Sequence, residues 1–204
     1  TLSSSSAASD VYKRQVLLAG SLPAGIAPGY YATLIARLAA RGVRVLLDSS
    51  GAPLRTGLGG AVKPFAIKPN RAELEELTGR VLADDAALLA AAGELNAGGV
   101  ELVVISLGAE GALFVTARQA VHAGLPPLRV VSSVGAGDAM MAGIIAALRD
   151  GAGLERIARL GTAFAAAKLS RAGANLPPRQ EVEALAKQVV VKDLTKMEAE
   201  GKSV

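Results

Sequence analysis

Short apolar runs of strand length alternate with helical periodicity through the first half of the chain. The runs suited to buried strands lie at residues 16–22, 43–47, 65–67 and 102–107. Between them, apolar residues recur at helical spacing over residues 29–41, 71–78 and 84–96. Gly42 follows the first of these helices, where a C-cap glycine is expected. The repeated order of strand, helix and strand predicts an α/β fold with a mainly parallel sheet flanked by helices on both faces.

The pattern changes after Gly111. Short strand candidates with tight turns between them lie at residues 113–115, 120–122 and 128–131, and predict an antiparallel edge on the same sheet. Three helices and a last strand are predicted at residues 136–148, 154–170, 180–188 and 189–191. We therefore expect one domain over residues 16–194. It is preceded by a Ser-rich tail, extraneous or disordered, over residues 1–15, and followed by a second tail over residues 195–204.

Composition narrows the chemistry that this domain can perform. The 204 residues are 51% hydrophobic and 20% charged, which is the balance of a globular protein with a sizeable core. Cysteine is absent, so disulfides and thiolate nucleophiles are excluded, and a reducing cytoplasm is the expected location. His122 is the single histidine, so a histidine metal cluster is excluded. We expect His122 itself to be structural or exposed rather than catalytic. Catalysis must therefore use oxygen groups or other nitrogen groups.

Charge and hydropathy narrow the choice of partners. Lys and Arg number 22 against 18 Asp and Glu, and aromatic residues make up only 3% of the chain. The basic residues are scattered rather than clustered, which is not typical of a nucleic-acid binder. No apolar run approaches the ~18 residues that a membrane span needs, and the first residues lack a signal-peptide core. We expect neither nucleic acid nor membrane as a partner, and a small anionic substrate would suit the net charge of +4.

The strongest chemical signal is the segment 132–138, because ligands of open α/β sheets bind outside the carboxyl ends of the strands. Gly135, Ala136 and Gly137 open a helix and leave its first amides uncovered. The helix dipole adds positive charge there, so the segment predicts an anion site suited to phosphate. Asp138 beside it is either a general base or only a carboxylate that complements the dipole.

Three other features lie at the same edge of the predicted sheet. Gly108 and Gly111 follow a buried strand and allow a phosphate-bearing ligand to approach the backbone, although a simple turn would look the same. Asn70 and Glu73 are spaced to share the first turn of a helix, as metal-site residues or as an ordinary helix start. Lys68 is either a phosphate contact or a solvated surface lysine.

Taken together, these motifs resemble the PfkB (ribokinase-like) carbohydrate kinase family. The segment 132–145 is similar to the second signature of that family, although Ser132 stands where many members carry Asp. The order of the other loops agrees, namely Gly20-Ser21-Leu22-Pro23, Lys68-Pro69-Asn70 with Glu73, and Ser106-Leu107-Gly108-Ala109-Glu110-Gly111-Ala112. The resemblance covers about residues 16–194. Within the family it is strongest to kinases of fructose 1-phosphate, with tagatose-6-phosphate kinases as near relatives.

The resemblance implies a three-layer ribokinase-like fold and an ATP-dependent kinase. Its reaction would transfer the γ-phosphoryl group to a ketose phosphate hydroxyl, converting fructose 1-phosphate to fructose 1,6-bisphosphate. By the same resemblance, Asp138 is the catalytic base and Gly135, Ala136 and Gly137 form the anion hole. Asn70 and Glu73 would place Mg²⁺. The implied nucleotide-binding residues are Ser106, Leu107, Gly108, Ala109, Glu110, Gly111, Lys68 and Asn175.

Part of the family pattern has no counterpart in this sequence. The first, Gly-rich sugar-contacting signature and the early strands that form the lid over the sugar are not found. We therefore expect a C-terminal portion of such a kinase, truncated at the N-terminus. A homodimer is the candidate assembly of the full-length form, and the oligomeric state stays open. The alternatives are a tagatose-6-phosphate kinase or another PfkB sugar kinase, a nucleotide-binding fragment without catalysis, and an α/β ligand-binding or regulatory module.

Overall fold

A seven-stranded sheet forms the centre of the protein. The computed structural model describes residues 14–126, 128–171, 173 and 178–195. The strands lie side by side in chain order. They are β1 (Gln15–Ala19), β2 (Arg44–Asp48), β3 (Ala66–Ile67), β4 (Leu102–Ser106), β5 (Ala112–Val115), β6 (Ala120–Gly124) and β7 (Val190–Asp193). The first four run parallel and the last three pair antiparallel. The predicted α/β fold with an antiparallel edge is confirmed.

Helices cover both faces of the sheet. They are α1 (Tyr30–Ala39), α2 (Gly51–Gly59), α3 (Arg71–Thr78), α4 (Asp85–Ala97), α5 (Ala136–Arg149), α6 (Leu154–Leu169) and α7 (Arg179–Gln188), with a 3₁₀ turn at Gly108–Glu110. Successive strand residues point to opposite faces, so Leu46 packs against α5 and α6 while Leu47 packs against α1 and α2. The result is three layers with two apolar cores. None of the helices in the described part of the chain is long and apolar enough to span a membrane.

The prediction of a strand at residues 128–131 is wrong. These residues are in no strand, and Val130 and Val131 are 60% and 55% exposed. The amides of Val131 and Ser132 donate instead to the carbonyl oxygen of Leu169 at the end of α6. Leu128 and Val130 line a cavity near α5. Alternating apolar residues therefore mark the wall of a cavity here rather than a pleated face.

Helix α2 was not predicted from the sequence, because three glycines and a proline within nine residues read as a loop. Pro53 lies in the first turn, where its missing N–H breaks no intrahelical bond. Leu54 is buried, and a Cβ on Gly57 would lie 2.8 Å from Cδ2 of Leu47. Close packing on the sheet therefore stabilises a helix that local propensity disfavours.

The ends of the described fold differ slightly from the predicted domain limits. Gln15 already belongs to β1, where it pairs with Arg44. At the other end, the amide of Ala120 donates to the hydroxyl oxygen of Thr195, which lies just beyond β7. Residues 1–13 and 196–204 lie outside the described residues, so the two predicted tails stay predictions.

Glycines allow α5 and α6 to cross at very short range. A Cβ on Gly143 of α5 would lie 2.6 Å from the carbonyl oxygen of Leu160 and 2.9 Å from Cδ2 of Phe164. A Cβ on Gly161 of α6 would lie 3.0 Å from Cγ1 of Ile144. The two helices are therefore in close contact near the middle of α5, and this crossing positions α5 relative to α6.

We predict that Gly143→Ala lowers the free energy of unfolding by about 1–3 kcal/mol, because the added methyl overlaps backbone that cannot retreat. Urea denaturation measures this change. Gly59→Ala is the matched control, since a Cβ at Gly59 meets no atom within 4 Å. The control should be neutral or slightly stabilising. Equal stability of the two variants would contradict the close crossing.

Candidate functional site

The carboxyl ends of the four parallel strands meet at one edge of the sheet. The amide of Gly20, after β1, donates to the carbonyl oxygen of Asp48 at the end of β2, at 2.8 Å. The amide of Ser106, at the end of β4, donates to the carbonyl oxygen of Pro69 after β3, at 3.0 Å. These hydrogen bonds tie the loops together in pairs. The loops at this edge are therefore rigid enough to hold polar side chains in fixed positions.

Helix α5 begins at this edge with open backbone donors. Gly135 is its N-cap residue, with φ +81°, and no side chain of the described residues caps the helix. A residue with a Cβ would be strained in this left-handed conformation, so the turn depends on glycine. The first amides of a helix have no intrahelical acceptor. The N–H groups of Gly137 and Asp138 are therefore open donors, whereas the amide of Ala136 donates to the carbonyl oxygen of Ser133 at 3.3 Å. The anion hole of Gly135, Ala136 and Gly137 stays a prediction.

Lys68 lies against this helix start. Its side chain is only 9% exposed, and its Nζ is 3.2 Å from the position that a Cβ on Gly137 would occupy. The Nζ also forms an ion pair with Oδ1 of Asp48, at 3.2 Å. Burial excludes the interpretation of Lys68 as a solvated surface lysine. The ammonium group adds positive charge beside the uncapped amides, while its nucleotide-binding role stays a prediction.

Asp48 is a site residue that the sequence did not single out. Burial raises the pKa of its carboxyl group, and the ion pair with Lys68 opposes that rise only in part. The negative charges of Asp138 and Glu73 raise the pKa of Asp48 further. The available signal was its position at the end of a buried strand, next to the strand that delivers Lys68. Asp48 is thus ion-paired with one buried ammonium group and feels the negative charge of two further carboxylates.

Asn70 and Glu73 form a reciprocal capping box at the start of α3. The Glu73 amide donates to Oδ1 of Asn70, and the Asn70 amide donates to Oε2 of Glu73, both at 2.9 Å. The helix-start interpretation of this pair is therefore realised in the structure. Among the described residues, no group of three or more His, Asp or Glu side chains could hold a metal ion. The magnesium role of Asn70 and Glu73 stays a prediction.

A cavity of about 560 Å³ lies between the β4–β5 loop and α5. Its lining includes Ser106, Gly108, Ala109 and Gly111 on one side, and Ser133, Ala136, Gly137 and Met140 on the other. Most of the remaining lining is apolar. A Cβ on Gly111, where φ is +96°, would lie 2.0 Å from the carbonyl oxygen of Ala123, so only glycine fits.

The structure brings four of the six predicted loop residues to this cavity. Leu107 packs instead against the apolar core on the α1–α4 face of the sheet. The carbonyl oxygen of Glu110 is 2.8 Å from Nε2 of His122, which gives the single histidine a structural contact. Asn175 lies outside the described residues, so its predicted role in nucleotide binding stays a prediction.

Asp138 lies on the other side of the α5 start, in a second cavity of about 520 Å³. Its side chain is exposed, and within the described part of the chain it forms neither an ion pair nor a hydrogen bond. Lys168 of α6 lines the same cavity and is 6% exposed. Sequence reasoning missed Lys168. The available signal was a lysine among alanines on a helix with few polar positions.

Comparisons with known proteins agree with this architecture. The model of the pfkB family carbohydrate kinases matches residues 6–181. The 1-phosphofructokinase of Xanthomonas campestris pv. campestris is 52% identical over 179 residues, covering 86% of this chain and 56% of the relative. The 1-phosphofructokinase of Rhodobacter capsulatus is 47% identical, covering 88% of this chain and 56% of the relative. The chain thus spans just over half the length of these curated relatives.

Solved structures share the fold. Escherichia coli phosphofructokinase-2 in complex with potassium superimposes with a TM-score of 0.80 at 32% identity, covering 86% of this chain and 57% of that one. The tetrameric inhibited form of the same enzyme gives a TM-score of 0.78 at 30% identity, covering 87% and 58%. A family model that matches most of the chain, together with relatives of this identity, establishes the family. The chain belongs to the pfkB family of carbohydrate kinases.

Proposed function

We propose that this chain carries the ATP site and the catalytic base of a kinase that phosphorylates a hydroxyl group of a ketose phosphate. One observation carries the proposal: Asp138 is exposed, has no ion pair or hydrogen bond among the described residues, and lies in the first turn of α5 beside open amides. The adjacent Gly137 lies against the buried Lys68. A free carboxylate next to an anion site is the pair of groups that phosphoryl transfer to an alcohol needs. Fructose 1-phosphate is the proposed substrate, supported by the names of the curated relatives.

In this mechanism Asp138 accepts the proton of the attacking hydroxyl group. The hydroxyl oxygen bonds to the γ-phosphorus of ATP, the bond from that phosphorus to the bridging oxygen breaks, and ADP leaves. The amides of Gly137 and Asp138, which have no intrahelical acceptor, donate to the phosphoryl oxygens as negative charge develops on them. The ammonium of Lys68 adds positive charge from beneath Gly137.

The rest of the nucleotide fits the apolar cavity beside α5. A volume of about 560 Å³ with a mostly apolar lining suits a base and its sugar, with the phosphates directed toward Gly137. Asn70 and the Oε1 atom of Glu73, the carboxylate oxygen that the capping box does not use, would hold Mg²⁺ through its water shell. When bound, the ion neutralises phosphate charge.

Two features of the whole protein are also proposed. We infer a cytoplasmic enzyme without nucleic-acid or membrane partners. It would form a homo-oligomer, which is supported by the tetrameric form described for Escherichia coli phosphofructokinase-2.

The second candidate substrate is tagatose 6-phosphate, and the second candidate function is nucleotide binding without catalysis. The two candidate substrates and the non-catalytic alternative all use the same ATP site. An activity assay therefore distinguishes them, whereas a measurement of nucleotide affinity does not.

The deciding experiment pairs ATP titration calorimetry with a coupled assay of ADP release. Fructose 1-phosphate, tagatose 6-phosphate, ribose and no sugar are the four assay conditions. We expect saturable ATP binding that weakens when EDTA removes Mg²⁺, and ADP release that depends on fructose 1-phosphate. ATP binding without sugar-dependent release supports the non-catalytic alternative. No heat with ATP would end the kinase proposal.

Asp138→Asn tests the assignment of the base. The carboxamide keeps the shape of the side chain but cannot accept the proton, so we predict a fall in kcat of about 10²–10⁴-fold with ATP affinity retained. Asp150→Asn is the matched control, because Asp150 lies beyond the other end of α5 and pairs only with Arg149 in the described structure. Unchanged turnover in Asp138→Asn would sink the assignment.

Gly137→Ala tests the contact between α5 and Lys68. The new methyl would lie 3.2 Å from Nζ and 3.6 Å from Cε of Lys68, so the ammonium group must move away from the anion site. We predict ATP affinity weaker by roughly tenfold, on the scale of one charge-assisted hydrogen bond. Gly153→Ala at the start of α6 is the control, since its Cβ meets no atom within 4 Å. Equal affinity in both variants refutes the role of Lys68.

A further inference from the structure

A second buried lysine lies beside the start of α5. Lys168 belongs to the last turn of α6, where its neighbours Ala165, Ala166 and Ala167 are all buried. Lys168 itself is 6% exposed, although lysine is almost never fully buried unless it is paired. This position is therefore one that an apolar side chain would ordinarily occupy.

The stem of Lys168 packs on the N-cap of α5. Its Cε is 3.3 Å from the position that a Cβ on Gly135 would occupy, so glycine at 135 makes room for this lysine as well as for the left-handed turn. The Nζ of Lys168 donates to the carbonyl oxygen of Arg171 only at 3.5 Å, the outer limit of a hydrogen bond. Within the described residues it forms no ion pair.

The cavity around Lys168 is the one that contains Asp138. Of the described residues in its lining, Asp138 alone carries a carboxylate, and it forms no ion pair with Lys168. Ser132 and Gly135, from the segment that precedes α5, also line this cavity. Among the described residues, the ammonium group therefore has donors without a partner, in a space bounded by the segment 132–135 and the proposed base.

The burial of Lys168 is unfavourable unless it serves this segment. Removing an ammonium group from water without a counter-charge carries a large desolvation penalty, and a methionine would fill the same volume without one. The positive end of the α5 dipole lies next to it and adds repulsion. An anion bound at the α5 amides would offset both the desolvation penalty of the ammonium group and its repulsion by the helix dipole.

We propose that Lys168 is a positioning residue of the phosphate site: its ammonium is a built-in cation behind Gly135 that supports the segment 132–135 and raises the positive potential at the α5 amides. Lys68 does the same from the side of Gly137, so the helix start lies between two buried cations. The inference rests on the proposed function, because it requires that a phosphate-bearing ligand binds at these amides.

The test separates the charge of Lys168 from its volume. Lys168→Met keeps the packing of the stem, and Lys168→Ala leaves a space that a small amine can enter. Lys63→Met is the control, since Lys63 lies before β3, at the opposite edge of the sheet, and its Nζ donates to the carbonyl oxygens of Leu58 and Gly60. ATP affinity is measured by calorimetry in choline chloride and again in methylammonium chloride at equal ionic strength, with thermal unfolding of every variant.

We expect Lys168→Met and Lys168→Ala to bind ATP about 10–100-fold more weakly than the parent chain in choline chloride. Methylammonium should restore several-fold of the lost affinity in Lys168→Ala, because the free amine enters the vacated space. It should not restore it in Lys168→Met, where the thioether fills that space. The parent chain and Lys63→Met should bind equally in both salts.

Each contrary outcome has a distinct meaning. If the parent chain does not bind ATP, the proposed function is wrong and this inference falls with it. If the parent binds and a folded Lys168→Met binds equally well, only the inference is wrong. If Lys168→Ala is folded and weak but methylammonium restores nothing, Lys168 acts through packing alone and the inference is wrong. If Lys168→Ala does not fold, the affinity of Lys168→Met decides.

Discussion

The rest of the site depends on one constraint: other groups approach the backbone of α5 so closely that the helix needs glycine at the points of contact. Gly143 brings the helix against the carbonyl of Leu160, Gly137 admits the ammonium of Lys68, and Gly135 both forms the left-handed turn and accommodates the stem of Lys168. A Cβ at any of the three would displace a neighbour. The same small residues that leave the first amides uncovered therefore also fix the helix in place and surround its positive end with cations.

That arrangement has an electrostatic consequence for the two aspartates. Burial raises the pKa of Asp48, and its ion pair with Lys68 opposes that rise only in part. Asp48 therefore acts mainly on Lys68, whose ammonium it holds under Gly137. Asp138 is exposed and has no partner among the described residues, so its carboxylate is free for a ligand. Two carboxylates at one edge of the sheet thus differ in role because they differ in burial, which their local sequences do not reveal.

Much of this fold follows from local pattern, and the exceptions have physical reasons. The parallel strands β1–β4 were predictable as short apolar runs, and a parallel arrangement brings their carboxyl ends to one edge, which placed the candidate loops correctly. Helix α2 was missed because tertiary packing of Leu54 and Gly57 overrides a glycine-rich sequence. The segment 128–131 was misread because an alternating apolar pattern fits a cavity wall as well as a strand. The environment of Lys168 depends on how closely α6 crosses α5, a distance that no local pattern encodes.

The capping box of α3 shows why site residues and structural residues are difficult to separate at this edge. Asn70 and Glu73 satisfy each other's backbone amides, which stabilises the helix start, yet the same contacts orient the remaining Glu73 oxygen. A side chain that is fixed by a structural bond loses little further rotamer freedom when it binds a ligand. Lys68, fixed by Asp48, follows the same logic. The rigidity of this site therefore comes from interactions that also stabilise the fold. The carboxylate of Asp138 is the exception, because no described residue holds it.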